Sequence, residues 1–204
     1  MNLKNNFEEI LGGFGLSTSQ IKIEWDFLLD SYIVDRRYHD INHVIRVYKL
    51  MEPYFKVVED VDLFKLAILY HDIVYVPGSN RNEIESALLF FNRFENYLNP
   101  YERNVVMDLI RSTEFNSKLK THNEKLLHDA DYVSGLGGSY EDFIINNNKI
   151  IQELSLVYPE DVACIGRKKF LMGISNSNLI KTLEFKPFEV EIKNNINTYL
   201  IQTE

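Results

Sequence analysis

The feature that most constrains this chain is the segment DVDLFKLAILYHDIVY, residues 60–75. At helical period it is apolar around most of its circumference, so a helix here has no face to offer water and must be surrounded. The rest of the chain therefore has to supply a shell. The segment also carries a problem. His71 and Asp72 stand side by side inside the apolar run, and burying two such groups is costly unless something pairs with them. A local hydrogen bond or a metal ion would meet that need, and the choice depends on what other ligand-type residues reach the same place.

The shell reads as helical. In SQIKIEWDFLLDSYI, residues 19–33, the residues Ile21, Trp25, Leu28 and Leu29 share one face, and Ser17 with Gln20 has the spacing of a capping box. RYHDINHVIRVYKLM, residues 37–51, carries a stripe of Ile41, Val44, Ile45, Tyr48 and Met51, ended by Pro53. A helix through SNRNEIESALLFFNRF has Asn80 as a cap-like residue three before Glu83. At NPYE the signal is fullest: Asn99 as N-cap, Pro100 at the first helical position and Glu102 closing the box. Further helices are expected near residues 122–134, 139–157, 160–174 and 187–202. All five prolines fall at the edges of these elements. GLGG at 135–138 reads as a loop or helix stop, and the Asn-rich IINNNKII as a solvated helix face. No segment alternates at period two. The expectation is an all-α, compact helical bundle with little or no β-strand, a single domain over residues 1–204. The core would span about 20–138, with C-terminal helices over 139–204.

The balance of 22 Lys and Arg against 30 Asp and Glu gives a net charge of −8, with no run of five like charges. That argues against nucleic acid and against an anionic membrane as partners. A small anionic substrate stays open, because a bound cation reverses the local field. A single cysteine, Cys164, allows no intrachain disulfide and points to a reducing, cytoplasmic setting. The first residues lack the apolar core of a signal peptide, and no apolar run approaches the ~20 residues that span a bilayer.

Of the five histidines, His39 and His43 are four apart on one expected helix and so point the same way. His71-Asp72 ends the buried helix. Asp129 and Asp131 lie in HDADYVSGLGG, beside His128, which reads as a surface residue. Imidazoles with carboxylates make a nitrogen/oxygen site, suited to a transition-type divalent ion better than to Ca or a thiolate site.

Several segments together resemble the HD-domain superfamily, in its small metal-dependent phosphohydrolase branch. They are RRYHDINH (Arg36 to His43), AILYHDIVY (Ala67 to Tyr75), NEIESA (Asn82 to Ala87), DADYVSGLG (Asp129 to Gly137) and GRKKFL (Gly166 to Leu171). They span residues 36–171. The resemblance implies an HD-type helical domain with metal ligands His43, His71, Asp72 and Asp131. Asp131 is preferred to Asp129 because it follows a small residue, Ala130. It implies one divalent ion per chain, Mn, Mg, Fe, Co or Ni. Asp72, Glu83, Arg36 and His39 would be the catalytic group, and Arg36, Arg167, Tyr38 and Asn82 would hold substrate. One departure stands out: after LIRST the chain reads TEFN, with Asn116 where the family often has His.

The reaction so implied is hydrolysis of a phosphate ester or phosphoanhydride of a small molecule, a nucleotide foremost, with Asp72 or Glu83 taking a proton from water. Two other readings compete. One is a binding or sensing module that keeps the metal cage without turnover, favoured by Asn116. The other is an all-α interaction protein without metal, which leaves the ordered set His43, His71-Asp72, Asp131 unexplained. A two-iron relative would need more histidine ligands than the chain supplies.

Overall fold

The computed structural model describes residues 3–33 and 36–203. Among them lie ten α-helices and no strand: α1 (Leu3–Gly13), α2 (Thr18–Ile33), α3 (Ile41–Met51), α4 (Val61–Tyr70), α5 (Asn82–Arg93), α6 (Pro100–Arg111), α7 (His122–Leu136), α8 (Tyr140–Leu154), α9 (Glu160–Ser175) and α10 (Phe188–Gln202). A 3₁₀ turn, Glu52–Val57, follows α3 directly. Pro53 tightens the helix there, where the sequence suggested it would end it.

α4 is the buried centre. Leu63, Phe64, Leu66, Ala67, Ile68, Leu69 and Tyr70 are all buried, because α3, α5 and α6 pack around it. Each large side chain so enclosed contributes roughly 1.5–3 kcal/mol; Phe64→Ala would cost about 3–5 kcal/mol. α3 also packs along α7, and α7 in turn meets α6, α8 and α10. The C-terminal trio α8, α9 and α10 thus closes one side of α7. This arrangement brings the N-terminus of α3, the C-terminus of α4 and the middle of α7 to one place.

Helix starts follow local chemistry where a cap exists. Asn99 accepts from the Tyr101 and Glu102 amides while Glu102 reaches back to the Asn99 amide. Ser17 and Gln20 form the expected reciprocal pair. Asp40 caps α3 through the Asn42 and His43 amides, so α3 starts with its apolar stripe at Ile41, four residues into the segment expected to be helical. His39 therefore precedes α3 and does not share it with His43. Asn80 is not a cap: α5 begins at Asn82, with Arg81 before it. α1 has no counterpart in the sequence reading; it buries only Phe7, Ile10 and Leu11, a stripe of one turn. α7 runs through Gly135 and stops at Leu136, with Gly137 as its C-cap.

Candidate metal centre

His71 is the residue after α4, and Asp72 opens the turn that follows. His43 comes from the first turn of α3 and Asp131 from α7. His43 Nε2 lies 3.0 Å from His71 Nε2, 3.0 Å from Asp131 Oδ1 and 3.4 Å from Asp72 Oδ2. His71 Nε2 lies 3.2 Å from Asp72 Oδ2 and 3.8 Å from Asp131 Oδ1. Both histidines are almost wholly buried.

The other ring nitrogens fix the chemistry. His71 Nδ1 is 2.8 Å from the Ile68 carbonyl, which can only accept, so Nδ1 carries the proton. Ser134 Oγ donates to the Asp131 carbonyl at 2.8 Å and so accepts from His43 Nδ1 at 3.1 Å. Each neutral imidazole is thereby locked as an Nδ1–H tautomer with a bare Nε2. Two nitrogen lone pairs and two carboxylate oxygens then converge with no donor among them. Such a set repels itself unless a cation enters. A proton supplies part of that charge: burial pushes His43 down, yet its hydrogen bonds to Asp131 and Asp72 carry it up to about 9. A divalent ion supplies more, and the spacing suits nitrogen and oxygen donors bound at about 2.0–2.2 Å. His43, His71 and Asp131 form a group able to hold a metal ion.

Beside the cluster lies a cavity of about 250 Å³ whose walls include His39, Glu83, Asp131, Tyr132, Arg167 and Phe170. Burial, together with the charges of Asp72 and Asp131, raises the Glu83 carboxyl above its usual value. Arg167 is buried and pushed down to about 10 by that burial. Its Nε donates to Asn147 Oδ1 at 2.7 Å, its guanidinium lies 5.0 Å from the Phe170 ring centroid, and it forms no ion pair with any carboxylate among the described residues. Tyr38 also lines the cavity, its ring 4.8 Å from that of His43. Its hydroxyl approaches α7 so closely that a Cβ on Gly135 would lie 2.4 Å from it, which is why GLGG begins inside the helix.

Two expected substrate contacts also hold the fold. Arg36 Nη1 donates to the His39 and Asp72 carbonyls and Nη2 to the Ile73 carbonyl. Three of its five N–H donors thus tie residues 36–39 to the turn after α4. Asn82 accepts from the Val76 amide and donates to the Val76 carbonyl, closing the loop before α5.

His128 and the Asn-rich run were misjudged from the sequence. His128 is buried, its Nδ1 3.1 Å from Asp129 Oδ1, not a surface group. Asp129, wholly buried, accepts from the Lys181 amide and from the Thr182 amide and hydroxyl; it pins the segment before α10 and does not face the cluster. In the Asn-rich run, Asn146 and Asn147 are buried. Asn147 supports Arg167, and Asn146 donates to the Ser134 carbonyl at 3.4 Å.

Glu153 escaped notice altogether. Its Oε1 accepts from the amides of Arg37, Tyr38 and His39 at 2.8, 2.8 and 3.1 Å, and its Oε2 from His39 Nδ1 at 2.6 Å. Burial opposes ionisation, but these bonds, His39's first, hold the carboxyl down at about 2. His39 is fixed with its Nδ1–H on Glu153 and its ring stacked 4.0 Å from Tyr75. The signal was present: on α8 an acid occupies the same buried side as Phe143, Asn146 and Asn147.

Residues 40–136 match the family model of the HD domain, a stretch that runs from the cap of α3 to the end of α7 and contains His43, His71, Asp72 and Asp131. No curated protein and no solved structure matches the chain. Among the described residues no helix is long and apolar enough to cross a membrane. The matched stretch holds the convergent histidine and aspartate side chains, so residues 40–136 are similar to the HD domain in sequence and carry a cluster able to hold a metal ion.

Proposed function

We propose that this protein is a metal-dependent phosphohydrolase acting on a phosphate ester or phosphoanhydride of a small molecule, with a nucleotide as the substrate class, and that His43, His71, Asp72 and Asp131 hold one divalent ion. The observation that carries the reading is the convergence of four acceptor atoms, two of them on histidines whose other nitrogen is already committed. A bound ion would polarise a phosphoryl oxygen and lower the pKa of a water.

The chain's own groups divide the remaining work. Arg167 lies in the cavity wall next to Asp131 without a carboxylate partner, so its guanidinium is available to phosphate oxygens and to the charge that develops on them. Glu83 lines the same cavity and is a base for the attacking water, provided the water comes within hydrogen-bond reach. His39, its Nδ1–H on Glu153, keeps its second nitrogen to exchange a proton with the substrate. Phe115 and Phe170, with ring centroids 5.4 Å apart, border the cavity and offer apolar faces to a base.

The test is phosphate and pyrophosphate release from a nucleotide panel with Mn²⁺ supplied, Asp72→Ala beside the wild type. Release that the variant loses supports the reading, and the product identifies the bond cut. Stoichiometric metal with no release from any substrate would overturn turnover and leave the binding-module reading.

A further inference from the structure

A second cavity, about 490 Å³, lies on the other side of Tyr38 and Ser134 from the metal cluster. It draws on α3, α7 and α8, each of which also carries a residue of the cluster or of the first cavity. On α3, His43 serves the cluster and Arg46 and Lys49 face this cavity. On α7, Asp131 serves the cluster and Val133 and Ser134 line the cavity. On α8, Ile150 faces the first cavity, while Ile145, Asn146 and Lys149 face the second.

Its charge runs against that of the molecule. In a chain of net charge −8, three cations, Arg46, Lys49 and Lys149, line this wall, and none forms an ion pair among the described residues. The carboxylate present, Asp142, accepts from the Ser139 amide and hydroxyl as the capping partner of α8. A separate observation points to a missing acceptor. Arg46 Nε and Nη2 are buried with no hydrogen-bond partner, while the guanidinium lies 5.2 Å from the Tyr38 ring centroid. Buried donors left unpaired are costly, and an orphaned guanidinium edge beside two lysines is the complement of a phosphate. Leu50, Ile145 and Phe188 supply an apolar wall to the same space.

We infer that this cavity is a second, non-catalytic binding site for a phosphorylated small molecule. Its dianionic head lies among Arg46, Lys49 and Lys149, and its apolar part rests against Ile145 and Phe188. The inference is independent of the proposed reaction at the metal cluster. Ser134 joins the two sites, since it lines this cavity and accepts from His43 Nδ1.

The test is calorimetric titration of the chelator-treated full-length chain with phenyl phosphate, which combines a dianion with an apolar ring. Lys149→Glu, Arg46→Met and Arg167→Met are titrated in parallel. Saturable binding is expected, weakened at least about tenfold by Lys149→Glu and by Arg46→Met, as loss of a charge-assisted bond implies, and unchanged in Arg167→Met, which alters the other cavity. Lys149 is partly exposed, so its variant remains informative if Arg46→Met fails to fold. Binding lost in Arg167→Met but kept in Lys149→Glu would place the ligand in the metal cavity and overturn the inference. So would binding indifferent to all three variants, or none at millimolar concentration.

Discussion

Asp129 and Asp131 stand two residues apart on α7 and face opposite regions of the molecule. Around Asp129 there are only donors: two amides, a hydroxyl and an imidazole. Around Asp131 the neighbours are acceptors: two imidazole nitrogens with no proton of their own when neutral, and the Asp72 carboxylate beyond them. The first region is complete as protein alone. The second is complete only with a cation. Residue type does not separate the two; the inventory of donors does.

The largest expected effect follows from exchanging the loss between them. Asp131→Ala should remove metal binding, by more than the roughly 10–100-fold that loss of a residue merely orienting a ligand costs, and activity with it. It should cost the metal-free fold less than loss of Asp129 does, because Asp131 is partly exposed and there shares only the His43 proton. Asp129→Ala should do the reverse. It orphans the Lys181 and Thr182 amides and the Thr182 hydroxyl, and breaking a buried, hydrogen-bonded charge costs about 3–5 kcal/mol. Metal titration and chemical denaturation of both variants check this. Equal loss of metal by the two would erase the distinction.

Chelation is the next test. An ion held at about 100 times its dissociation constant adds about 2.7 kcal/mol to stability, so its removal should lower Tm by roughly 5–10 °C for a domain of this size. Asp131→Ala should show no such drop. A wild-type melting curve that chelation leaves unmoved, with metal loss verified by elemental analysis, would mean that the acceptor cluster needs no ion to fold.

Acid separates the regions in another way. Glu153 belongs with Asp129, a carboxylate saturated by donors. Its folded value, about 2, lies below the ordinary 4.5. The stability it contributes is therefore fully present above pH 4.5 and fades as pH falls toward 2. That contribution amounts to a few kcal/mol. Glu153→Gln should flatten the stability profile across this window, measured by denaturation at several pH values, and should free the His39 ring. An unchanged slope would show that the three backbone amides are satisfied without the charge.

How legible these features were in the sequence follows from the same division. The family resemblance placed His43, His71, Asp72 and Asp131 in one set, and the structure brings all four side chains together. The helices beside them were also readable, because α4 is apolar on most sides and α3 carries a periodic stripe. What could not be read was who satisfies whom. Glu153 lies 114 residues from His39, Asn147 lies 20 from Arg167, and Asp129 lies 53 from Thr182. Such pairs arise only once α8 and α10 pack against α7 and α9 packs against both. The backbone partners of Arg36 and Asn82 were unreadable for the same reason, since only the fold delivers them. His128 and the asparagines were judged by their polarity as exposed, when burial with a partner costs little.

The smallest expected effect lies at the cap that needed no fold to be read. Asn99 accepts from the Tyr101 and Glu102 amides at 2.9 and 3.0 Å, and Glu102 Oε2 accepts from the Asn99 amide at 2.8 Å. Every partner is within three residues and exposed to solvent. Asn99→Ala should cost about 1 kcal/mol and lower Tm by about 2–4 °C, with the same increment whether the metal is present or chelated. Independence is the point of the measurement: sites without shared partners add. A cap whose loss weighed more heavily in the chelated protein would instead show α6, which packs on α4, carrying the strain of the empty cluster outward. The two regions of α7 would then not be separable in the way their hydrogen bonds imply.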